Sequence, residues 1–328
     1  MQALVVRTYG TPASFAIEDL PIPEPGPGQL QIKVAAASLN PADLLMTAGT
    51  VREMVPLDFP FVPGTDVAGT VTKLGPGTDG FEVGEEVFGF GAPPSFASGV
   101  GIPAVTSGAL AEYATFQAGP YLAKRPPKLS ATTAAALPST GMTGLAVLGR
   151  GQFRPGETVL VIGAPVGIGS VVVPLLARQC TVLATATAPD GNYVRSLGAA
   201  DVIDYRESDP IEEVRRRHPE GVDAVVNLAL TGEAVLAATT ALRPGGRLLS
   251  TTPGTPTHPA VTTVMGTTDL HPGTMDALTA HVLDGTLPEP EIRTYLLSDA
   301  VRAYEDLAEG HTRGKLVVIV DAEPGPCG

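Results

Sequence analysis

The amino-acid sequence predicts an α/β protein of two parts, a compact β domain at the start of the chain and a parallel sheet with crossover helices after it. Three observations predict this. Short β-forming runs broken by Gly and Pro fill residues 1 to about 122, strand and helix patterns alternate from about Lys124, and the apolar run Val159-Leu160-Val161-Ile162 enters a glycine turn. At 328 residues the chain is long enough for two domains.

In the first part, residues 3–6, 29–35, 67–74 and 86–90 carry alternating or continuous β-formers. Punctuation such as Pro21-Ile22-Pro23-Glu24-Pro25-Gly26-Pro27-Gly28 and Gly75-Pro76-Gly77 separates them, so the strands are expected to pair largely antiparallel. Ser38-Leu39-Asn40-Pro41-Ala42-Asp43 reads as a strand exit, where Asn40 either offers its amide to a ligand or forms a plain turn. Asp43 is expected to cap a helix over 44–47 rather than to do chemistry. In Pro63-Gly64-Thr65-Asp66-Val67-Ala68-Gly69 an acid stands just before a strand, a position read as a structural hydrogen-bonder. Residues 91–108 read as a long loop that covers the substrate.

From Lys124 onward, residues 131–137 and 141–148 read as helices, followed by strands over 159–162, 182–186, 201–203, 224–229 and 247–251. Helices over 193–197 and 211–217 fill some of the gaps, and this alternation argues a parallel sheet with right-handed crossovers. The basic run Arg215-Arg216-Arg217 reads as a solvated helix face. Residues 292–320 return to strand, helix (299–309) and strand (315–320), and 322–328 form a tail.

The stretch Gly163-Ala164-Pro165-Val166-Gly167-Ile168-Gly169 carries the chemical signal. A strand that turns through glycines into a helix aims the helix's free N–H groups at whatever lies above it, and the natural guest is an anion. Of the three glycine positions in a dinucleotide fingerprint only Gly169 is filled; Ala164 and Val166 hold the others.

A net charge of −13 argues against nucleic acid or an anionic membrane as a partner, since both call for a basic face. No apolar stretch approaches a membrane span and the start lacks a signal peptide's features, so a soluble cytoplasmic protein is expected. Cys180 and Cys327 are too few for a disulfide framework. The histidines, His218, His258, His271, His281 and His311, all lie in the second half, and the first 179 residues hold neither Cys nor His. That half alone therefore cannot build a thiolate or imidazole zinc site.

Taken together, Ser38-Leu39-Asn40-Pro41-Ala42-Asp43, Pro63-Gly64-Thr65-Asp66, Gly84-Glu85-Glu86-Val87-Phe88, Gly108-Ala109-Leu110-Ala111-Glu112-Tyr113, the glycine turn, Leu197-Gly198-Ala199 before Val202-Ile203-Asp204-Tyr205, and Arg313-Gly314-Lys315 resemble the medium-chain dehydrogenase/reductase superfamily, in its zinc-independent quinone oxidoreductase branch. The resemblance implies a GroES-like β domain from residues 1–122 and 292–328, a Rossmann doubly wound parallel sheet domain from 123–291, a nicotinamide cofactor in the cleft and a homodimer. It also places Asn40 and Thr143 on the nicotinamide and substrate side. Ala164, Pro165, Val166, Gly167, Ile168 and Gly169 are then to carry the pyrophosphate, and Thr187, Tyr205, Asn227 and Lys315 to lie along the rest of the cofactor.

Three departures stand out. Val166 puts a side chain where backbone should meet phosphate, Pro174 falls inside the crossover helix and should kink it, and Leu110 replaces an aromatic often seen in its motif. For the cofactor, the end of the second strand of the parallel sheet reads Thr185-Ala186-Thr187-Ala188 with no acid, which favours NADPH with NADH as the second choice, although Asp190 nearby pulls the other way. With no Lewis acid, a conjugated carbonyl is the expected small-molecule substrate, a quinone or an enone. Backbone N–H groups, Asn40 or the ribose are the candidate donors to its oxygen, and water the final proton source. Two other readings stay open: an enoyl reductase tailoring a polyketide-like enone, and a non-catalytic nucleotide-binding protein that kept the fold.

Overall fold

The computed structural model describes residues 1–91, 105–264, 273–310 and 313–321. Strands β1 (Gln2–Val5), β2 (Ala16–Asp19) and β3 (Gln29–Ser38) precede helix α1 (Pro41–Thr47). Strands β4 (Asp66–Leu74), β5 (Glu86–Phe90), β6 (Val105–Ser107), β7 (Tyr113–Gln117) and β8 (Leu122–Lys124) lead to helices α2 (Ala131–Ala136) and α3 (Pro138–Gly151). Then come β9 (Thr158–Ile162), α4 (Gly169–Ala177), β10 (Thr181–Ala186), α5 (Gly191–Ser196), β11 (Asp201–Asp204), α6 (Pro210–Arg217), β12 (Val222–Asn227), α7 (Glu233–Ala238), β13 (Leu242–Ser250) and β14 (Val261–Thr263). Helix α8 (Thr274–Leu283), β15 (Ile292–Leu296), α9 (Ala300–Glu309) and β16 (Lys315–Ile319) complete the chain. Two units result: Met1–Ser139 with His271–Leu283 and Pro290–Gly328, and Thr140–Leu270 with Asp284–Glu289.

The first unit is built on a sheet in the order β15-β16-β3-β4-β5-β8, with β7 on β3 and β6 on β7. Pairing is antiparallel except between β15 and β16. Leu30, Ile32 and Val34 alternate along β3 into a core shared with Val67, Val87, Phe116 and Tyr304, all fully buried. Helix α9 covers this core because Ala300, Ala303, Tyr304 and Leu307 recur at helical spacing and form one apolar face.

Helix α1 starts three residues earlier than expected. Pro41 takes its first position, where the missing N–H costs nothing, and Asn40 becomes the N-cap. Asp43 therefore caps from inside the helix: its Oδ2 accepts the Asn40 N–H at 2.9 Å. Of the expected loop, residues 105–107 form β6 instead, while residues 92–104 lie outside the described residues, as do His271, His311 and Cys327.

The second unit holds six parallel strands in the order β11-β10-β9-β12-β13-β14. Both faces are covered, which explains the unbroken apolar run. Val159 and Val161 join one core cluster with Val172, Val173 and Leu176 of α4, whereas Leu160 and Ile162 join another with Val225, Val235 and Leu248. Burying each such side chain is worth about 2 kcal/mol.

Strand β13 begins five residues before the expected start at Arg247, because Leu242 already pairs with Val222 of β12 and the turn-like run Arg243-Pro244-Gly245-Gly246 falls in a register shift before Arg247 pairs with Ala224. Asp209 starts α6 by accepting the N–H groups of Ile211 and Glu212, and Arg216 and Arg217 pair with Glu213 one turn back. Helix α4 continues through Pro174 to Ala177, so it holds the ring rather than ending at it.

Candidate functional site

The glycine turn lies at the carboxyl end of β9, where strand order reverses between β9 and β12 and where doubly wound sheets take their ligands. Ile162 stands opposite Asn227 in the parallel register, which brings the ends of these two strands level. Gly169 opens α4 against the turn itself: a Cβ there would stand 2.0 Å from the Ala164 carbonyl oxygen. Only a bare backbone fits that approach. The N–H groups of Gly167, Ile168 and Gly169 meet no acceptor among the described residues, so three donors sit at one helix head. Such a head suits the pyrophosphate of a dinucleotide. The half-buried side chains of Val166 and Ile168 pack against the core of this unit.

At the neighbouring strand ends, Thr187 is buried and donates to Asp190 Oδ2 at 2.9 Å, and the Ala188 N–H donates to Asp204 Oδ2 at 2.8 Å. Tyr205 follows β11 and is exposed. Asn227 is fully buried and engaged by its own surroundings. Its Nδ2 donates to the Leu230 carbonyl, Ser250 Oγ and Thr252 Oγ1, while its Oδ1 accepts the Ala229 and Leu230 N–H groups. Thr143 lies half-buried on α3.

The first unit contains a buried polar network centred on Asn40. Lys315 Nζ donates to Asn40 Oδ1 at 2.7 Å and to the Leu39 carbonyl at 2.9 Å. Asn40 Nδ2 donates to Asp66 Oδ2 at 3.0 Å and Thr65 Oγ1 at 3.2 Å. Asp66 also accepts from Ser38 Oγ, Ser139 N and Ser139 Oγ, and Lys315 Nζ lies 3.8 Å from its Oδ2. On the other side, Asp43 Oδ2 accepts from the Asn40 N–H and, at 3.1 Å, from Tyr304 OH. Asp43 Oδ1 is buried without a hydrogen-bond partner.

Burial dominates the electrostatics here. It pushes the Asp43 carboxyl up to about 7, reinforced by the nearby Asp66 and opposed by the Asn40 N–H, Tyr304 and Lys315. It also lowers Lys315 against the pull of the two carboxylates, and it raises Tyr304 well above an ordinary phenol.

The structure thus joins Asn40 to Lys315 in one network across 275 residues of sequence, and groups the glycine turn, Thr187 and Asn227 at the carboxyl ends of adjacent strands. Lys315 and Asn227 spend their polar atoms on the protein. Tyr304 went unnoticed in the sequence; its place on the inward face of α9 was the available signal, since a buried Tyr demands a partner for its hydroxyl. Among the described residues, no three His, Cys, Asp or Glu side chains are placed to hold a metal ion, and no helix is long and apolar enough to cross a membrane.

Comparison with known proteins agrees with this architecture. Residues 26–127 match the alcohol dehydrogenase GroES-like domain, and residues 197–318 match the zinc-binding dehydrogenase family. The chain is 31% identical to a chloroplast envelope quinone oxidoreductase homolog of Arabidopsis thaliana, over 97% of this chain and 98% of that protein. It is 32% identical to an NADPH-dependent alkenal/one oxidoreductase of the same plant, over 75% of this chain and 64% of the relative. The solved quinone oxidoreductase from Coxiella burnetii superposes with a TM-score of 0.86 at 28% identity, covering 98% of this chain and 99% of that one. A GroES-like domain joined to a doubly wound nucleotide-binding domain defines a dehydrogenase/reductase. The chain belongs to the medium-chain dehydrogenase/reductase superfamily, in its quinone oxidoreductase branch, and is an oxidoreductase.

Proposed function

We propose that the protein reduces a conjugated carbonyl, a quinone or an enone, with NADPH as hydride donor and without zinc. The observation that carries this reading is the group of N–H donors on Gly167, Ile168 and Gly169 at the head of α4, which meet no acceptor among the described residues. Bound there, the cofactor would supply a hydride to the acceptor's conjugated system. In this reading the turn from Ala164 to Gly169 holds the pyrophosphate, Thr187 and Tyr205 flank the adenosine end, and Asn40 and Thr143 line the nicotinamide and substrate. Asn227 and Lys315 act behind them through the groups they bind.

A conjugated acceptor suits a protein whose first 179 residues contain no Cys or His, because the charge left by hydride addition spreads over the π-system instead of resting on one oxygen. The relatives named for quinones and for alkenals and alkenones support the same substrate class. For the cofactor, support for NADPH comes from the second of these names and from Arg195 on α5, whose Nη1 stands 3.2 Å from the place of a Gly191 Cβ. Asp190 opposes it, although Thr187 engages one of its oxygens. The domain extents 1–122 with 292–328 and 123–291, a homodimer and a cytoplasmic location belong to this proposal.

The test is oxidation of NADPH and NADH against a panel of quinones and enones. Turnover of at least one member with the lower Michaelis constant for NADPH is expected, and no turnover on any overturns the reading. With deuterated NADPH an enone product keeps the label on carbon, whereas a hydroquinone hydroxyl exchanges it away.

A further inference from the structure

The outer strand of the first unit's sheet, β15, and the helix that follows it, α9, border a cavity of about 310 Å³. That volume lies at the lower end of small-molecule sites. Its lining shares no residue with the network around Asn40 or with the glycine turn. Leu296 and Ile319, opposite each other in the parallel register, give it an aliphatic wall, while Thr294, Arg293, Arg302 and Asp299 give it polar groups.

The charges are not all committed. Arg293 Nη2 lies 2.7 Å from Asp306 Oδ2, its guanidinium carbon stands 5.0 Å from the centre of the Tyr295 ring, and Tyr295 OH donates to the same Asp306 oxygen at 2.6 Å. Asp306 is four residues beyond Arg302 on α9, the spacing at which an opposite charge would pair with it. Because Arg293 and Tyr295 hold that carboxylate, Arg302 is left exposed with no hydrogen bond or ion pair among the described residues. A cation in the first turn also opposes the helix dipole, so the helix itself does not compensate it. Asp299 takes the N-cap position without making a capping bond, is exposed, and has no partner among the described residues either. The cavity therefore offers one uncommitted cation, one uncommitted anion and an apolar wall, and its charges, with Asp306 included, sum to zero.

We propose that this cavity binds a small zwitterion with an apolar side chain, of the α-amino-acid class. The carboxylate meets Arg302 and the Thr294 hydroxyl, the ammonium meets Asp299, and the side chain lies on Leu296 and Ile319. A phosphate would face the Asp299 carboxylate, and an apolar monocarboxylate would leave Asp299 unmatched. The site is independent of the cofactor reading.

The experiment titrates the full chain, without cofactor, with leucine, with 4-methylpentanoate, which lacks the ammonium, and with 3-methylbutylamine, which lacks the carboxylate. Backbone amide shifts of residues 293–302 are followed by NMR. Leucine is expected to shift these amides saturably and to bind at least about tenfold more tightly than either fragment, the value of one hydrogen bond to a charged group. Arg302→Gln should weaken leucine and the pentanoate and leave the amine unchanged. Asp299→Asn should weaken leucine and the amine and not the pentanoate. Both side chains are exposed, so neither substitution disturbs the core. Absence of a saturable shift with leucine overturns the proposal, as does equal binding of leucine and the pentanoate by the parent, or an Arg302→Gln protein that keeps the parent's affinity for leucine. Tighter binding of inorganic phosphate than of leucine would make the cavity an anion site and also overturn it.

Discussion

The two units bury polar groups in different ways. In the first, the buried charged side chains are Asp43, Asp66, Arg125 and Lys315; in the second, among the described residues, the buried polar side chains are neutral: Thr140, Ser170, Thr185, Thr187, Asn227, Ser250 and Thr252. The difference follows from what each unit has to hold. A turn that presents backbone N–H groups needs only a tight strand and a bare glycine, and neutral hydroxyls and one amide suffice to brace its surroundings. Fixing a side-chain amide in one orientation takes a cation on one side and an anion on the other. Burying those charges carries a desolvation cost, and it raises the Asp43 carboxyl, so this unit contributes stability that falls as pH rises toward neutral.

The sharpest way to break this contrast is Asp66→Asn. The carboxylate takes four donors, from Ser38, Asn40 and Ser139, and stands beside Lys315. An amide of the same shape points a donor at donors and leaves the ammonium without its anion. Breaking a buried pair in this way costs about 3–5 kcal/mol, so the urea midpoint should fall steeply.

Asp43→Asn separates charge from shape. The folded carboxyl is pushed up to about 7 from 3.8, so between these values the folded protein holds a proton that the unfolded chain has released. The unfolded state then binds fewer protons than the native state, and stability falls as pH rises through this window. It is fully present below the lower value and lost as pH passes the upper one, a change on the order of 4 kcal/mol. Asparagine keeps acceptors for the Asn40 N–H and Tyr304 OH and cannot titrate. Carboxylates held low by arginine partners, such as Glu213 and Glu157, push stability upward over the lower part of this range, so the check is the difference between the two proteins: unfolding free energy of the parent minus that of the variant should fall from pH 4 to pH 7, and a constant difference would place the titrating group elsewhere.

The same contrast explains what was legible in the sequence. The parallel sheet could be read from local signals, since Val159-Leu160-Val161-Ile162 and the glycines after it announce a buried strand and a tight turn without reference to any distant residue. The alternation of β3 showed the first core in the same way. By contrast, the network around Asn40 unites residues 38 to 66 with Ser139, Tyr304 and Lys315, and nothing local at Lys315 says that its amine will face residues 39 and 40. Local rules also misjudged element edges. A Pro-Gly-Gly run hid the start of β13, and Pro41 concealed the start of α1, although proline at a helix's first position is itself a known start signal.

The smallest expected effect tests the neutral unit. Gly169→Ala inserts a methyl group 2.0 Å from the Ala164 carbonyl oxygen and 2.7 Å from its carbon, both backbone atoms that cannot swing aside. Helix propensity alone favours alanine by about 0.8–1.0 kcal/mol, but overpacking of this kind costs about 1–3 kcal/mol. The clash wins, the turn must move off α4, and the three N–H groups separate. A stability loss of about 1–2 kcal/mol should accompany weaker binding of reduced cofactor, read by thermal melting and fluorescence titration on the same sample. Gly149→Ala on α3 is the control, since a Cβ there meets nothing within 4 Å. It should gain a few tenths of a kcal/mol to about 1 kcal/mol and leave cofactor affinity unchanged. If both substitutions stabilise equally, the close approach of α4 to the turn is not what holds the donors together, and the neutral unit has no more need of its glycine than any surface helix.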